Sequence, residues 1–364
     1  MEPSSQDNLS VKRNDGKIPI VETLRGIATL SVLFHHWTIC VPGFIQNAFM
    51  LAFCNRLNIG VYIFFGISGF IMPYALHRGG YRLRHIGQFV LKRIIRLDPP
   101  YIASIAFCVI IAYVATLHPL YTGVPFRLNP LNLLLHLGYL CPFFGQPWVQ
   151  GGVYWTLGIE FQFYLILALA YPLLINQKQW ISLITVILFT ALCAFDGNRY
   201  RFNFITSYAP FFSMGMVTFL FRIGRLHIRT YLLLLLLLSS LAGIKFEWHQ
   251  MAGGLAASLL IAFYQGARAP LVFFGTISYS IYLFHAPIAI KTVNYLMRYS
   301  WAVKFNWAIV LLGACFCVLV AWLAYLVLEK PSKAFSQKIK YGRKAGPAID
   351  LVAQKLGESM AKPT

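Results

Sequence analysis

Residues 304–328 read KFNWAIVLLGACFCVLVAWLAYLVL. After Lys304, no acidic or basic side chain interrupts the run. As a helix it rises about 36 Å at 1.5 Å per residue, enough for the ~30 Å hydrocarbon core of a bilayer. Working outward, nine further apolar segments recur: 20–41, 57–77, 98–117, 153–175, 179–195, 203–222, 230–245, 251–267 and 270–290. The expected fold is therefore all-α: a polytopic membrane helical bundle of about ten spans. The segment 131–144, LNLLLHLGYLCPFF, is apolar but too short to cross. It reads as a re-entrant or interfacial helix in the longest loop, 118–152. The leucine run from Leu232 to Leu238 is expected to face lipid and to carry no chemistry.

Composition supports a lipid solvent. Apolar residues make up 58% of the 364 positions and charged residues 12%. Soluble domains hold roughly 45–50% and about 25%. This excludes a cytosolic enzyme, a disordered chain and a disulfide-stapled secreted module. Residues 1–17 are polar, and the apolar run after them is too long for a cleavable signal peptide and carries Arg25, His35 and His36.

The formal charge is +20, from 31 Lys+Arg against 11 Asp+Glu. The basic residues flank apolar runs and form no separate domain, so nucleic acid is not the expected partner. They fall into four groups: Lys12, Arg13 and Lys17; Arg78 to Arg96; Arg222, Arg225 and Arg229; and Lys330 to Lys344. With ten spans, all four lie on one side, whereas the opposite 118–152 loop holds only Arg127. The positive-inside rule then puts both termini in the cytoplasm. The expected organisation is a polar N-terminal segment (1–19), a membrane domain (20–330) and a basic tail (331–364). The seven cysteines show no metal-ligand spacing, and no metal is expected. Cys315 and Cys317 read as packing residues in an apolar run. Cys40 and Cys54 bracket a short outer connection, as free thiols or as a disulfide.

An ionisable group in hydrocarbon costs at least ~2.5–3.5 kcal/mol, so each one asks for a reason. In TLRGIATLSVLFHHW, eleven residues separate Arg25 from His36. At about 100° per residue both project from one face, ~16 Å apart along the axis, while His35 points about 80° away. Arg93 and Arg96, in KRIIRLDPPY, are three apart and share a face at the cytoplasmic entrance. Pro99 and Pro100 are expected to start or break the helix there. Two converging guanidiniums suit a polyanion such as a nucleotide diphosphate. Glu160, in YWTLGIEFQFYL, lies ~10 Å into the membrane from the outer side, near the depth of His36. A buried Glu there can orient a His. Ser68 lies between Gly66 and Gly69, and His285 and Tyr282 lie in ISYSIYLFHAPI. Each position also has a structural reading: a packed His, a pair of headgroup anchors, a Glu–Arg or Glu–Tyr bond, a small-residue contact. Glu329 reads as a structural ion-pair partner.

Taken together, these residues resemble acyltransferase family three, integral-membrane O-acyltransferases of cell-surface glycans. The likeness runs from Arg25 to Pro331. Arg25 and His36 resemble the family's first-span Arg-x10-His motif, Ser68-Gly69-Phe70 its S-G-F, and Arg93 and Arg96 its R-x-x-R, followed by Pro99 and Tyr101. Trp155 and Glu160 resemble its W-x-x-x-x-E. Ser278, Tyr279, Ser280, Tyr282, Leu283, His285 and Pro287 resemble S-Y-S-x-Y-L-x-H-x-P, and Glu329 and Pro331 the closing E-x-P. The chain looks like the stand-alone form, without the extracytoplasmic hydrolase-like domain of some members.

The resemblance implies transfer of an acyl group, usually acetyl with succinyl as the alternative, from cytoplasmic acyl-CoA to a hydroxyl of an extracytoplasmic glycan. O-antigen of lipopolysaccharide, exopolysaccharide, a lipid-linked oligosaccharide and a smaller glycoside all fit as acceptor, and the cell inner membrane as location. Arg25, Arg93 and Arg96 would hold the CoA phosphates. His36 would act as general base or acyl carrier, assisted by Glu160. Ser68, Tyr282 and His285 would line the path. Trp148 and the tyrosines of the 118–152 loop would help choose the sugar. A rival class is a transporter or flippase for a glycolipid or anion. It would show internal repeats and charges along both halves of its path, and neither is evident.

Overall fold

A computed structural model describes residues 18–118, 127–149, 153–195 and 203–341. The basic groups at 12–17 and 343–344, and parts of the 118–152 loop, lie outside the described residues. Every described element is helical. In chain order these are α1 (Pro19–Ile39), α2 (Ala48–Arg56), α3 (Ile59–Arg78), α4 (Ile86–Thr116), α5 (Pro130–Leu137), α6 (Tyr154–Leu174), α7 (Gln179–Ala191) and α8 (Ile205–Arg222). They continue with α9 (Ile228–Lys245), α10 (Trp248–Phe263), α11 (Ala269–Thr276), α12 (Ser278–Leu296), α13 (Trp301–Lys304), α14 (Asn306–Ala324) and α15 (Lys330–Lys338).

A helix stands at each of the ten expected segments, but among the described residues five helices are long and apolar enough to cross a membrane, or six if the bent pair α11–α12 is one span. The difference has a physical cause. α7 and α10 have only 13 and 16 residues. α1 carries Glu22, Arg25, His35 and His36. α8 is buried along nearly its whole length, so it faces protein rather than lipid. It tolerates Ser213 and Thr218 because both are satisfied, by Thr190 at 2.7 Å and by the Met214 carbonyl at 2.7 Å. The outer helices carry the lipid face. In α9, Leu232, Leu233, Leu236 and Leu237 are exposed as expected, while Leu235 and Leu238 turn inward.

Three local expectations change. Pro99 and Pro100 do not start or break a helix: α4 runs through both. Proline removes only its own N–H bond, and packed neighbours can re-satisfy the backbone. The carbonyls so freed are those of Ile95 and Arg96; next to them the Tyr279 hydroxyl donates to the Leu97 carbonyl at 2.9 Å. The single span 270–290 is instead two helices meeting at 70° around Ile277. The apolar segment 131–144 splits into α5 and a 3₁₀ turn, Cys141–Phe144, joined through Tyr139 at φ 57°. Cys40 and Cys54 are free thiols, and Cys317 is buried while Cys315 is exposed.

Two apolar cores flank the centre. One gathers side chains of α3, α6, α8 and α9, the other those of α1, α12 and α14. Close backbone contacts hold the core helices. A Cβ on Gly69 of α3 would lie 2.1 Å from the Phe212 carbonyl oxygen of α8. A Cβ on Gly275 of α11 would lie 2.0 Å from the Glu22 carbonyl oxygen of α1. Such contacts are the usual device of helices in lipid, where packing replaces the hydrophobic effect. Ile18 and Gln337 line the same cavity mouth, so both ends of the described chain reach one end of the bundle.

Gly69→Ala should therefore force α3 and α8 apart, at a cost of about 1–3 kcal/mol. The detergent-solubilised variant should unfold at lower temperature than wild type. Gly87→Ala, with nothing within 4 Å of the new methyl, should melt like wild type. Equal melting of the two variants would show that the α3–α8 contact is not tight.

Candidate active site

A cavity of about 360 Å³ lies between the two cores. Helix register orders its walls from the basic mouth to the opposite end. α1 contributes Arg25, in the second turn of the helix. α4 contributes Arg93 and Arg96 from successive turns of one face. α15 adds Lys333. Glu22 lies 3.9 Å from Arg25 and, with Glu329, partly offsets the four cations. The sequence-expected trio Arg25, Arg93 and Arg96 thus meets at one mouth. Lys333 was legible only as part of the basic tail. Its place in the site follows from the turn that joins α14 to α15.

Arg93 is buried at 6% exposure, with its guanidinium over the rings of Phe89 and Tyr164 at 5.3 and 5.7 Å. Its Nε has no hydrogen-bond partner. The Ser278 hydroxyl, on the same cavity, is also buried and unpartnered. A buried donor left unmade costs about 1–3 kcal/mol, more when charged. Such a group suits a site that binds an anion.

Glu160 stands midway along the cavity. Ser68 donates to its Oε1 at 2.7 Å, and Tyr164 donates to the same oxygen in a short bond. Tyr164 therefore links Glu160 to Arg93. The side chain four residues after Glu160 was the available sequence signal, since i and i+4 share a helix face. The expected contact between Glu160 and His36 is not formed. Glu160 faces the cavity with Ser68.

Glu329 is not the ion-pair partner expected. Its Oε2 accepts from the Ser280 N–H at 3.1 Å and the Ser280 hydroxyl at 2.7 Å. It caps the first turn of α12 from a π-helical turn, Tyr325–Glu329. One of the N–H groups freed by the break at Ile277, that of Ser280, is satisfied in this way by another helix. The break turns Ser278, Tyr279 and Tyr282 into the cavity.

The far end is closed by Val61 and Phe64 of α3, Thr156 and Leu157 of α6, and Tyr282 of α12. The Tyr282 hydroxyl donates to the Val153 carbonyl at 2.8 Å and bonds Thr156 in a short contact. One turn further along α12, the His285 ring lies 5.7 Å from the Tyr282 ring.

His285 meets His36. Nε2 of His285 and Nδ1 of His36 are 3.2 Å apart. The remaining contacts assign the protons. Nδ1 of His285 is 2.9 Å from the Ile281 carbonyl and must be its N–H donor. Nε2 of His285 is then a lone pair. Nδ1 of His36, also 3.0 Å from the Val32 carbonyl, donates to both acceptors. Nε2 of His36 is left as the basic nitrogen. His285, rather than Glu160, sets the His36 tautomer. His35 turns aside and bonds the Cys54 carbonyl at 2.9 Å, its ring 5.2 Å from that of His36.

Trp148 of the long loop is committed to packing. Its indole N–H donates to Asn203 at 3.1 Å and its ring meets His136 at 5.2 Å. His136 in turn accepts from the Val149 N–H at 2.9 Å. These bonds hold the described part of the loop on the bundle.

No curated protein and no solved structure matches the chain. A family model described as an acyltransferase domain matches residues 18–326. That range takes in every helix from α1 through α14 and nearly all of the cavity walls. The chain is a membrane-helical protein that belongs to acyltransferase family three.

Proposed function

We propose that the protein is an O-acyltransferase that moves an acyl group, acetyl in the first instance, from cytoplasmic acyl-CoA to a hydroxyl of an extracytoplasmic glycan. One observation carries the reading. Arg25 and His36 sit on one continuous helix, one at a cationic cavity mouth, the other beyond its closed end with a free basic nitrogen.

Arg25, Arg93, Arg96 and Lys333 bind the donor's phosphates, with Arg93 offering its unpartnered Nε. The donor's arm lies along Ser68, Glu160 and Tyr279 and brings the thioester to the Tyr282 end. His36 Nε2 takes the proton of the acceptor hydroxyl. The hydroxyl oxygen attacks the thioester carbonyl, a C–O bond forms and the C–S bond breaks. The proton then passes to the departing thiolate, so the imidazole returns to its starting state. His285 keeps the His36 Nδ1–H in place and lets the basic nitrogen face the reactants. In an acyl-His variant of the scheme, the same nitrogen carries the acyl group between the two half-reactions. Ping-pong kinetics would distinguish that variant from direct transfer.

The experiment compares O-acetyl ester on surface glycan in cells expressing wild type, His36→Ala and His35→Ala at matched membrane levels. His36→Ala should lose at least about 100-fold in ester, the scale of general acid–base catalysis. His35→Ala should keep most of it. Ester lost with His35→Ala alone would move the chemistry to the other face of α1. Absence of ester from wild type in its own host would count against acyl transfer to surface glycan.

His285 provides a second prediction. His285→Gln keeps a polar group but not the acceptor nitrogen in the same place. In membranes supplied with acyl-CoA, kcat should fall about 10- to 100-fold, the range for a residue that orients a catalytic imidazole. The KM for acyl-CoA should stay near wild type, because His285 lies beyond the cavity end. A rise in KM with unchanged kcat would assign His285 to donor binding instead. Arg93→Ala should show the opposite split, with KM raised and the His36 chemistry intact.

A further inference from the structure

The Tyr282 end of the cavity has a shape that the acyl-transfer reading leaves unused. Val61 and Phe64 lie on one face of α3, three residues apart, and are only half-buried because they border the cavity. The Phe64 ring meets the Tyr282 ring edge-on, 6.3 Å between centroids. Tyr282 cannot swing away freely, since the Val153 carbonyl and Thr156 hydroxyl hold its oxygen. Leu157, on the turn of α6 that carries Thr156, completes the wall. Directly behind it, His285 and His36 follow at ring distances of 5.7 and 4.9 Å. The barrier between cavity and imidazole pair is therefore about one side chain thick.

We propose that Phe64, set against the pinned Tyr282, is the residue that limits the length of the acyl group this protein transfers. The inference rests on the acyl-transfer reading and adds the substrate class: short, unbranched acyl thioesters. A donor that enters from the basic mouth presents its acyl end to this wall. The acyl carbon must come close to His36 while the remainder of the acyl group fits beneath Phe64 and Tyr282. A two-carbon group places only one methyl beyond the carbonyl, the least that the rings have to accommodate. Each added methylene has to displace an aromatic ring that is either in contact with Tyr282 or hydrogen-bonded in place. The two hydroxyls of the wall, on Tyr282 and Thr156, are bonded to each other and to the Val153 carbonyl, so neither is free to receive a terminal carboxylate. A succinyl group is disfavoured for that reason as well as for its length.

The test supplies membranes bearing wild type, Phe64→Ala or Val61→Ala with equal concentrations of acetyl-CoA and butyryl-CoA in competition. The readout is the ratio of butyryl to acetyl ester on one acceptor glycan. The ratio is internal to each sample, so differences in expression cancel. Phe64→Ala should raise it at least about 10-fold, since one or two methylenes in a closed apolar pocket discriminate by 10- to 200-fold. Val61→Ala should raise it less, because the side chain it removes is smaller than a phenyl ring. An unchanged ratio in both variants overturns the proposal. So does loss of both esters from both variants when each is present in the membrane as a folded protein. A wall residue should not be needed for acetyl transfer itself. If wild type transfers neither group, the acyl-transfer reading fails and this inference fails with it. If wild type transfers acetyl and butyryl equally, only this inference fails.

Discussion

A guanidinium inside an apolar bundle must be given a polar surrounding, and much of the central architecture follows from that requirement. Arg93 is almost fully buried, yet its charge rests on two aromatic faces and beside a cavity rather than against lipid. Arg25 and Arg96 border the same space. Charged residues in a membrane protein face the interior or a water-filled path because the alternative costs several kcal/mol. Drawing three arginines and Lys333 to one mouth in turn calls for nearby counter-charge, which Glu22, Glu160 and Glu329 supply along the same cavity. The apolar helices around them then serve as a wall between this polar interior and the bilayer.

The irregular backbone lies where that interior needs it. The break between α11 and α12, the π turn before α15 and the prolines in α4 all border the cavity or support a residue that does. Non-helical backbone at membrane depth is tolerated only where protein or a cavity satisfies it. Glu329 does this for the Ser280 N–H in the first turn of α12. Such π turns are enriched at functional sites. In this bundle the π turn delivers a carboxylate to the start of a broken helix and aims the following Lys333 toward the mouth.

The two histidines at the far end are placed by two different helices and need no carboxylate to hold them. A chain of neutral donors and acceptors runs from the Ile281 carbonyl through His285 to His36. A carboxylate at that point would have brought a further charge into the end of the bundle remote from the basic mouth. The imidazole of His285 fixes the proton on His36 without one. Glu160 is free, as a consequence, to share the middle of the cavity with Ser68 and Tyr164.

Several features were legible from residue order alone. The apolar runs determined that the chain is a helical membrane bundle, because only a helix satisfies its own backbone in lipid. The eleven-residue spacing determined that Arg25 and His36 share a face, because α1 is one unbroken helix. The three-residue spacing did the same for Arg93 and Arg96 once α4 proved continuous. Both are properties of a single element and need no partner. Which residues meet across helices was decided by the tertiary structure. His285 lies 249 positions from His36, Glu329 lies 49 from Ser280, and Ser68 lies 92 from Glu160. The depth estimate brought Glu160 and His36 to similar levels, but depth is one coordinate, and the rotation of α6 against α1 turns their side chains to different neighbours. The break at Ile277 was hidden for a related reason: α11 and α12 together are apolar enough to read as one span, and the carboxylate that meets the start of α12 comes from the remote Glu329. Periodicity records which face a residue occupies. Packing decides what that face meets.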